Sequence, residues 1–174
     1  MEKSIGILLG LAMFCSCSIV GSLSDPHSDY RQAMEKRILE AKLYERASLR
    51  YSLKVIPVDS TLYKEYQALG VSQDNLDFVD QVNLIVAIHD PHSPTFVMST
   101  DIKARLDGEA PLQWKEVHSM SELKRHYSFA FPFYRVFWMK FKKGSSQKVF
   151  TLLTHSGRIK IKLPENKGAL HAKN

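Results

Sequence analysis

Apolar and polar positions change period several times along this chain. Tyr30, Met34, Ile38, Ala41 and Tyr44 recur at helical spacing with charges between them. That spacing predicts an amphipathic helix from about Asp29 to Arg46, lying on the core and capped by Asp25 before Pro26 or by Ser28 before Asp29. At Ser48 the period shortens to two. Leu49, Tyr51, Leu53 and Val55 alternate with Arg50, Ser52 and Lys54, which is a half-buried strand ending near Pro57. Thr61 to Leu69 reads as a short helix stopped by Gly70, and Ser72 to Asp80 as a further turn or two.

Strand follows strand after that. Val82 to His89 is apolar on both faces, as a central strand should be, and Asp90-Pro91 breaks it. Thr95–Ser99, Ile102–Leu106, Leu112–Val117, the aromatic stretch Phe129–Lys142, Lys148–Thr154 and Arg158–Leu163 continue the series, punctuated by Asp107-Gly108, Gly144-Ser145-Ser146 and Ser156-Gly157. Ser119 and Glu122 have capping-box spacing for a one- or two-turn helix through His126. About seven short strands with such turns predict a mainly β (or α+β) chain, an antiparallel β-sandwich that is immunoglobulin-like in a loose sense, with the amphipathic helix at its N-terminal side. The Cys-Trp-Cys pattern of antibody domains is absent.

The apolar run Ile5–Phe14 belongs to a different kind of segment. Lys3 precedes it and Cys15-Ser16-Cys17-Ser18 follows it, which is the three-part layout of a secretory signal. Phe14, Cys15 and Ser16 before Cys17 resemble the lipobox of bacterial lipoproteins, with an apolar residue three places before the cysteine and a small one directly before it. Phe14 and Ser16 replace the usual Leu and Gly or Ala, toward the looser boxes of spirochaete-type lipoproteins. The resemblance implies cleavage before Cys17, a lipid on Cys17 and a place in the bacterial cell envelope, at the outer membrane since Ser18 is not the Asp that often retains lipoproteins at the inner one. Two alternatives stand beside it. Val20-Gly21-Ser22 offers small residues for ordinary cleavage, which releases a soluble periplasmic or secreted protein; or Ile5–Leu23 stays as an uncleaved anchor, weakened by its serines. The expected organisation is a signal over 1–16, a lipidated cysteine and tether over 17–28, one globular domain over 29–163 and a tail over 164–174.

Both cysteines lie in the signal region, Cys15 inside the signal and Cys17 at the expected lipid site, so the body has no thiol for a disulfide, a metal thiolate or a nucleophile. The net charge of +6 is unevenly spread: Ser121–Asn174 holds twelve Lys and Arg against two Asp and Glu. Lys140, Lys142 and Lys143 flank one turn, and Arg158, Lys160 and Lys162 project from one face of a later strand. If those two strands pair, the six cations form one patch for an anionic lipid or an envelope polymer. The competing reading is that these lysines solubilise the outer face and protect an edge strand.

Candidate chemistry is sparse. His89-Asp90-Pro91-His92 places two imidazoles and a carboxylate in one turn, the best metal-ligand candidate in the chain, with His118, His126 or His155 as possible third ligands; two histidines alone do not close a site, and Asp90 can simply shape the turn. No nucleophile elbow, zinc-protease helix or phosphate loop is present, and Asp74, Asp77 and Asp80 lack the spacing of a calcium loop. No cofactor is expected. Phe137, Trp138 and Phe141 beside the lysines imitate a nucleic-acid stacking platform, but alternation assigns the aromatics to a core and an exported chain rarely meets nucleic acid, so no nucleic-acid partner is expected. The leading function class is therefore an envelope lipoprotein, bound to its membrane through a lipid anchor and serving as an interaction or structural domain with a protein partner or an anionic surface. The alternatives are a soluble binding module for a small or anionic ligand and an exported enzyme.

Overall fold

Alternating apolar residues draw two antiparallel sheets together over a common core. The computed structural model describes residues 26–70, 76–98, 100–144 and 148–164. The signal, Cys17, most of the tether and the tail lie outside the described residues. The described residues open with helix α1, Pro26–Glu35, whose Tyr30 and Met34 are buried.

The helix ends there instead of running to Arg46. Arg37 and Ile38 donate to Met34 and Glu35 in closing turns, and Leu39–Glu45 is a strand, β1. Leu39, Ala41 and Leu43 alternate with Glu40 and Lys42, a period of two that shares Ala41 with the helical series. A hairpin joins β1 to β2, Ser48–Val58. Its two-residue turn holds Arg46 and Ala47 at φ 48 and 66, the left-handed conformation that hairpin twist demands, without the Asn-Gly pair that signals it in a sequence. Strand β2 ends one residue past Pro57, close to the expected end.

Asp59 caps helix α2, Ser60–Ala68, by accepting from the Leu62 amide at 2.8 Å. Residues 76–80 are not helical. Strand β3 follows over Gln81–His89, and strand β4 over Ile102–Leu106. The strand expected at Thr95–Ser99 does not form among its described residues: the Phe96 carbonyl is taken by Arg135 and the Val97 amide by Asp101, leaving one bridge at Met98. Strand β5 is Gln113–Glu116, and helix α3, Met120–His126, is capped by Ser119 as its spacing predicts. Strand β6 covers Arg135–Lys142 and starts later than expected. Tyr127–Tyr134 closes its hydrogen bonds in successive turns, and Pro132 has no amide to give a ladder. Strands β7, Val149–Thr154, and β8, Gly157–Lys162, complete the described elements.

The five-stranded sheet has the order β1-β2-β3-β6-β5 and the three-stranded sheet the order β4-β7-β8. Between them lies one core, with Leu53, Val55, Leu84, Val86, Phe137, Met139 and Phe141 facing Ile102, Leu106, Phe150, Leu152, Ile159 and Ile161. A second core lies on the other face of the five-stranded sheet, where Ile56, Ile85, Ala87, Val136 and Trp138 meet Tyr30, Met34, Leu62, Tyr66 and Tyr127 of the helical side. This is why β3 is apolar on both faces: Val82, Leu84, Val86 and Ile88 enter the sandwich, and Ile85 and Ala87 enter the helix layer. The result is three layers, helices over five strands over three, and the antiparallel β-sandwich is as its alternation predicts.

Candidate functional site

The outer face of the three-stranded sheet carries no layer above it among the described elements. Ile102, Ala104 and Leu106 of β4, Phe150 and Leu152 of β7, and Ile159 and Ile161 of β8 point into the sandwich, so the residues between them must point out. Register then builds the face row by row. Lys103 pairs with Leu153 and Leu153 with Arg158; Arg105 pairs with Thr151 and Thr151 with Lys160; Val149 pairs with Lys162. Five of these eight outward positions are cationic and none is acidic. Lys103, Arg158, Lys160 and Lys162 are exposed, while the central Val149, Thr151 and Leu153 are half-buried between the flanking side chains. Two strand spacings separate the flanking rows, about 10 Å, and cations two residues apart along a strand stand about 7 Å apart.

No ion pair satisfies any of these five cations among the described residues. The acids at the ends of β4 are engaged locally: Asp101 accepts from the Val97 amide, and Asp107 from the Val149 amide at 2.7 Å. The face is consequently a fixed positive field on a rigid support, able to hold a negatively charged partner by many weak, salt-sensitive contacts.

The six cations read from the sequence as one patch are divided by the fold. Strand β6 pairs with β3 and β5, and β8 pairs with β7, so the two strands do not pair and do not share a sheet. Lys140 and Lys142 stand on the helix-side face with Val136 and Trp138, opposite the face that bears Arg158, Lys160 and Lys162. Lys143 is tied to the loop before β3, donating from Nζ to the Val79 carbonyl at 2.9 Å. In their place the structure brings Lys103 and Arg105 beside the β8 cations. Their alternation was visible in the sequence, but their neighbours were not.

His89 and His92 do not converge. His89 Nδ1 lies 2.8 Å from the Phe133 carbonyl with its ring against Phe133 and Tyr134, whereas His92 Nε2 lies 3.2 Å from the Leu49 carbonyl. Asp90 is buried and accepts from the amides of His92 and Ser93, shaping the turn. No group of three metal-ligating side chains occurs among the described residues.

Two polar clusters had no signature in the sequence. Under the helices, Trp138 Nε1 donates to Tyr127 Oη at 2.7 Å, Tyr127 to Tyr66 Oη at 3.1 Å, and Tyr66 to Glu122 at 3.3 Å. Burial first, then neighbouring phenols, raises the Tyr30 and Tyr127 hydroxyls far above the ordinary phenol range, so both stay protonated; Tyr127 donates to Tyr66, whereas the buried Tyr30 hydroxyl meets no hydrogen-bond partner among the described residues. His126 packs its ring against His27, Tyr30 and Tyr66 in the same cluster. At one end of the sandwich, Tyr51 Oη lies 3.0 Å from Nδ1 of the exposed His155, and burial followed by Asp90 pushes the Tyr51 hydroxyl up to about 12. Such a phenol remains protonated at neutral pH and bridges loop to sheet. Among the described residues no helix is long and apolar enough to cross a membrane. Comparison with family models, with curated proteins and with solved structures gives no match.

Proposed function

We propose that this chain is an exported, lipid-anchored protein of a bacterial cell envelope that acts through contact, as an interaction domain held at the outer membrane by Cys17. Supporting the address are Lys3, the apolar run Ile5–Phe14 and the lipobox-like Phe14-Cys15-Ser16-Cys17. The single observation that carries the mode of action is the uncovered cationic sheet face: a two-sheet sandwich normally needs only one apolar face per sheet, and here the free face of the smaller sheet holds charges of one sign, without paired acids.

Mass spectrometry of the mature protein from its native membrane tests the address. A diacylated or triacylated N-terminus at Cys17, together with transfer of Cys17→Ala to the soluble fraction, is the expected result. An unmodified N-terminus near Leu23 overturns the anchor and leaves a released protein.

A further inference from the structure

The outward positions of the small sheet are more uniform than solubility requires. Soluble surfaces mix signs, because like charges on one rigid face repel each other. Here both flanking rows are positive and the middle row, Val149, Thr151 and Leu153, is uncharged. The face is an open strip, with Lys103 and Arg105 on one side and Arg158, Lys160 and Lys162 on the other. An elongated anion lying along the middle row meets cations on both sides at once, whereas a compact anion, with the flanking rows about 10 Å apart, meets only one or two.

We propose that this strip docks a linear polyanion of the envelope, a polymer with fixed negative charges repeated along its length, and that it does not dock the leaflet holding the anchor. The preference for polymer over leaflet rests on the lipid-anchored reading. Helix α1, by which the body of the chain begins, packs in the helix layer through Tyr30 and Met34. The cationic strip is the outer face of the opposite layer, about 20 Å away across two interlayer spacings. From Cys17 to Asp25 the chain reaches at most about 30 Å even fully extended. An unconstrained stretch of nine residues spans only about 17 Å on average, short of the distance to the strip, so an anchor at Cys17 favours the helix side toward its membrane and the strip outward.

The test uses the full chain in a neutral detergent, with long-chain inorganic polyphosphate as the polymer probe and vesicles of phosphatidylglycerol as the leaflet probe, each at low and physiological salt. Polyphosphate binding that weakens as salt rises is expected. Lys103→Gln with Lys160→Gln should weaken it at least about tenfold and flatten its salt dependence, and Lys103→Arg with Lys160→Arg should preserve it. The charge-matched control, Lys140→Gln with Lys142→Gln on the opposite face, should change it by less than about twofold, since only net charge is altered there.

Equal weakening by both Gln pairs overturns the proposal, because attraction is then a property of the whole charge. Absence of polyphosphate binding, or binding to the vesicles as tight as to the polymer, overturns it as well. Lipidation is read separately by mass, so a protein lacking the lipid but binding polyphosphate through Lys103 and Lys160 defeats the anchor and not the docking strip.

Discussion

Glu116→Gln should destabilise the protein by about 2 kcal/mol, between the range for exposed ion pairs and that for fully buried ones. The Glu116 carboxylate receives Nε and Nη2 of Arg135, both at 2.6 Å, in the forked geometry that only a carboxylate completes. The Arg135 side chain retains 28% of its exposure and that of Glu116 13%, so water screens the pair in part. With charge centres about 4 Å apart, Coulomb attraction is about 1 kcal/mol in water and about 4 kcal/mol at the effective dielectric of a protein surface. Gln keeps one neutral hydrogen bond, which lowers the net loss to about the middle of that interval.

Arg135 does more than pair. Its guanidinium lies 4.3 Å from the Phe96 ring centre and 5.4 Å from that of Phe137, and it donates to the Phe96 carbonyl. Arg135→Leu should therefore cost more than Glu116→Gln, since it also releases the loop before β4. The assay is urea unfolding followed by tryptophan fluorescence, where Trp114 reports directly because its ring packs on Phe137. A fall in melting temperature of roughly 4–8 °C accompanies such a loss in a domain of this size. A loss below about 0.5 kcal/mol in Glu116→Gln, or no coupling in the double-mutant cycle with Arg135→Leu, refutes the reasoning and means solvent screens the fork as it would on an open surface.

Tyr127→Phe removes the hydroxyl that accepts from Trp138 and donates to Tyr66, leaving a buried indole N–H unpaired; thermal or urea unfolding should show a loss of about 1–3 kcal/mol. Ala47→Gly should stabilise the β1–β2 hairpin by several tenths of a kcal/mol to about 1, since Ala47 is held at φ 66 where a Cβ is unfavourable; unchanged stability argues against the left-handed turn. Burial, then His27 and Arg125, lowers the His126 pKa in the folded state, so the unfolded chain binds the proton more readily. That contribution is present above the unfolded value of about 6.5 and is lost as pH falls through it toward the folded pKa. Wild type should lose stability more steeply than His126→Phe between about pH 7.5 and 5.5 in parallel urea titrations, and identical slopes would falsify the assignment.

Much of the architecture was legible because alternation and capping are local. Strands β2, β4 and β8 follow from period-two patterns, β3 from its continuous apolar run, β7 from the turn signals on either side of it, and helices α2 and α3 from their stop and capping signals at Gly70 and Ser119. The double-sided apolarity of β3 even announced its central place. At Ile38–Tyr44 a helical spacing overlaps a period of two; the expectation of a helix through Arg46 followed the first, and pairing with β2 decided for the strand. Residues 129–134 satisfied a strand's composition, yet their backbone groups found nearer partners in turns. The functional surface shows the same division. Each cation's position on a strand was readable, but which strands lie side by side depends on contacts between residues far apart in the chain, which no local pattern encodes. Pairing of β4 and β8 with β7 assembled Lys103 and Arg105 with Arg158, Lys160 and Lys162, and pairing of β6 with β3 and β5 carried Lys140 and Lys142 to the opposite face.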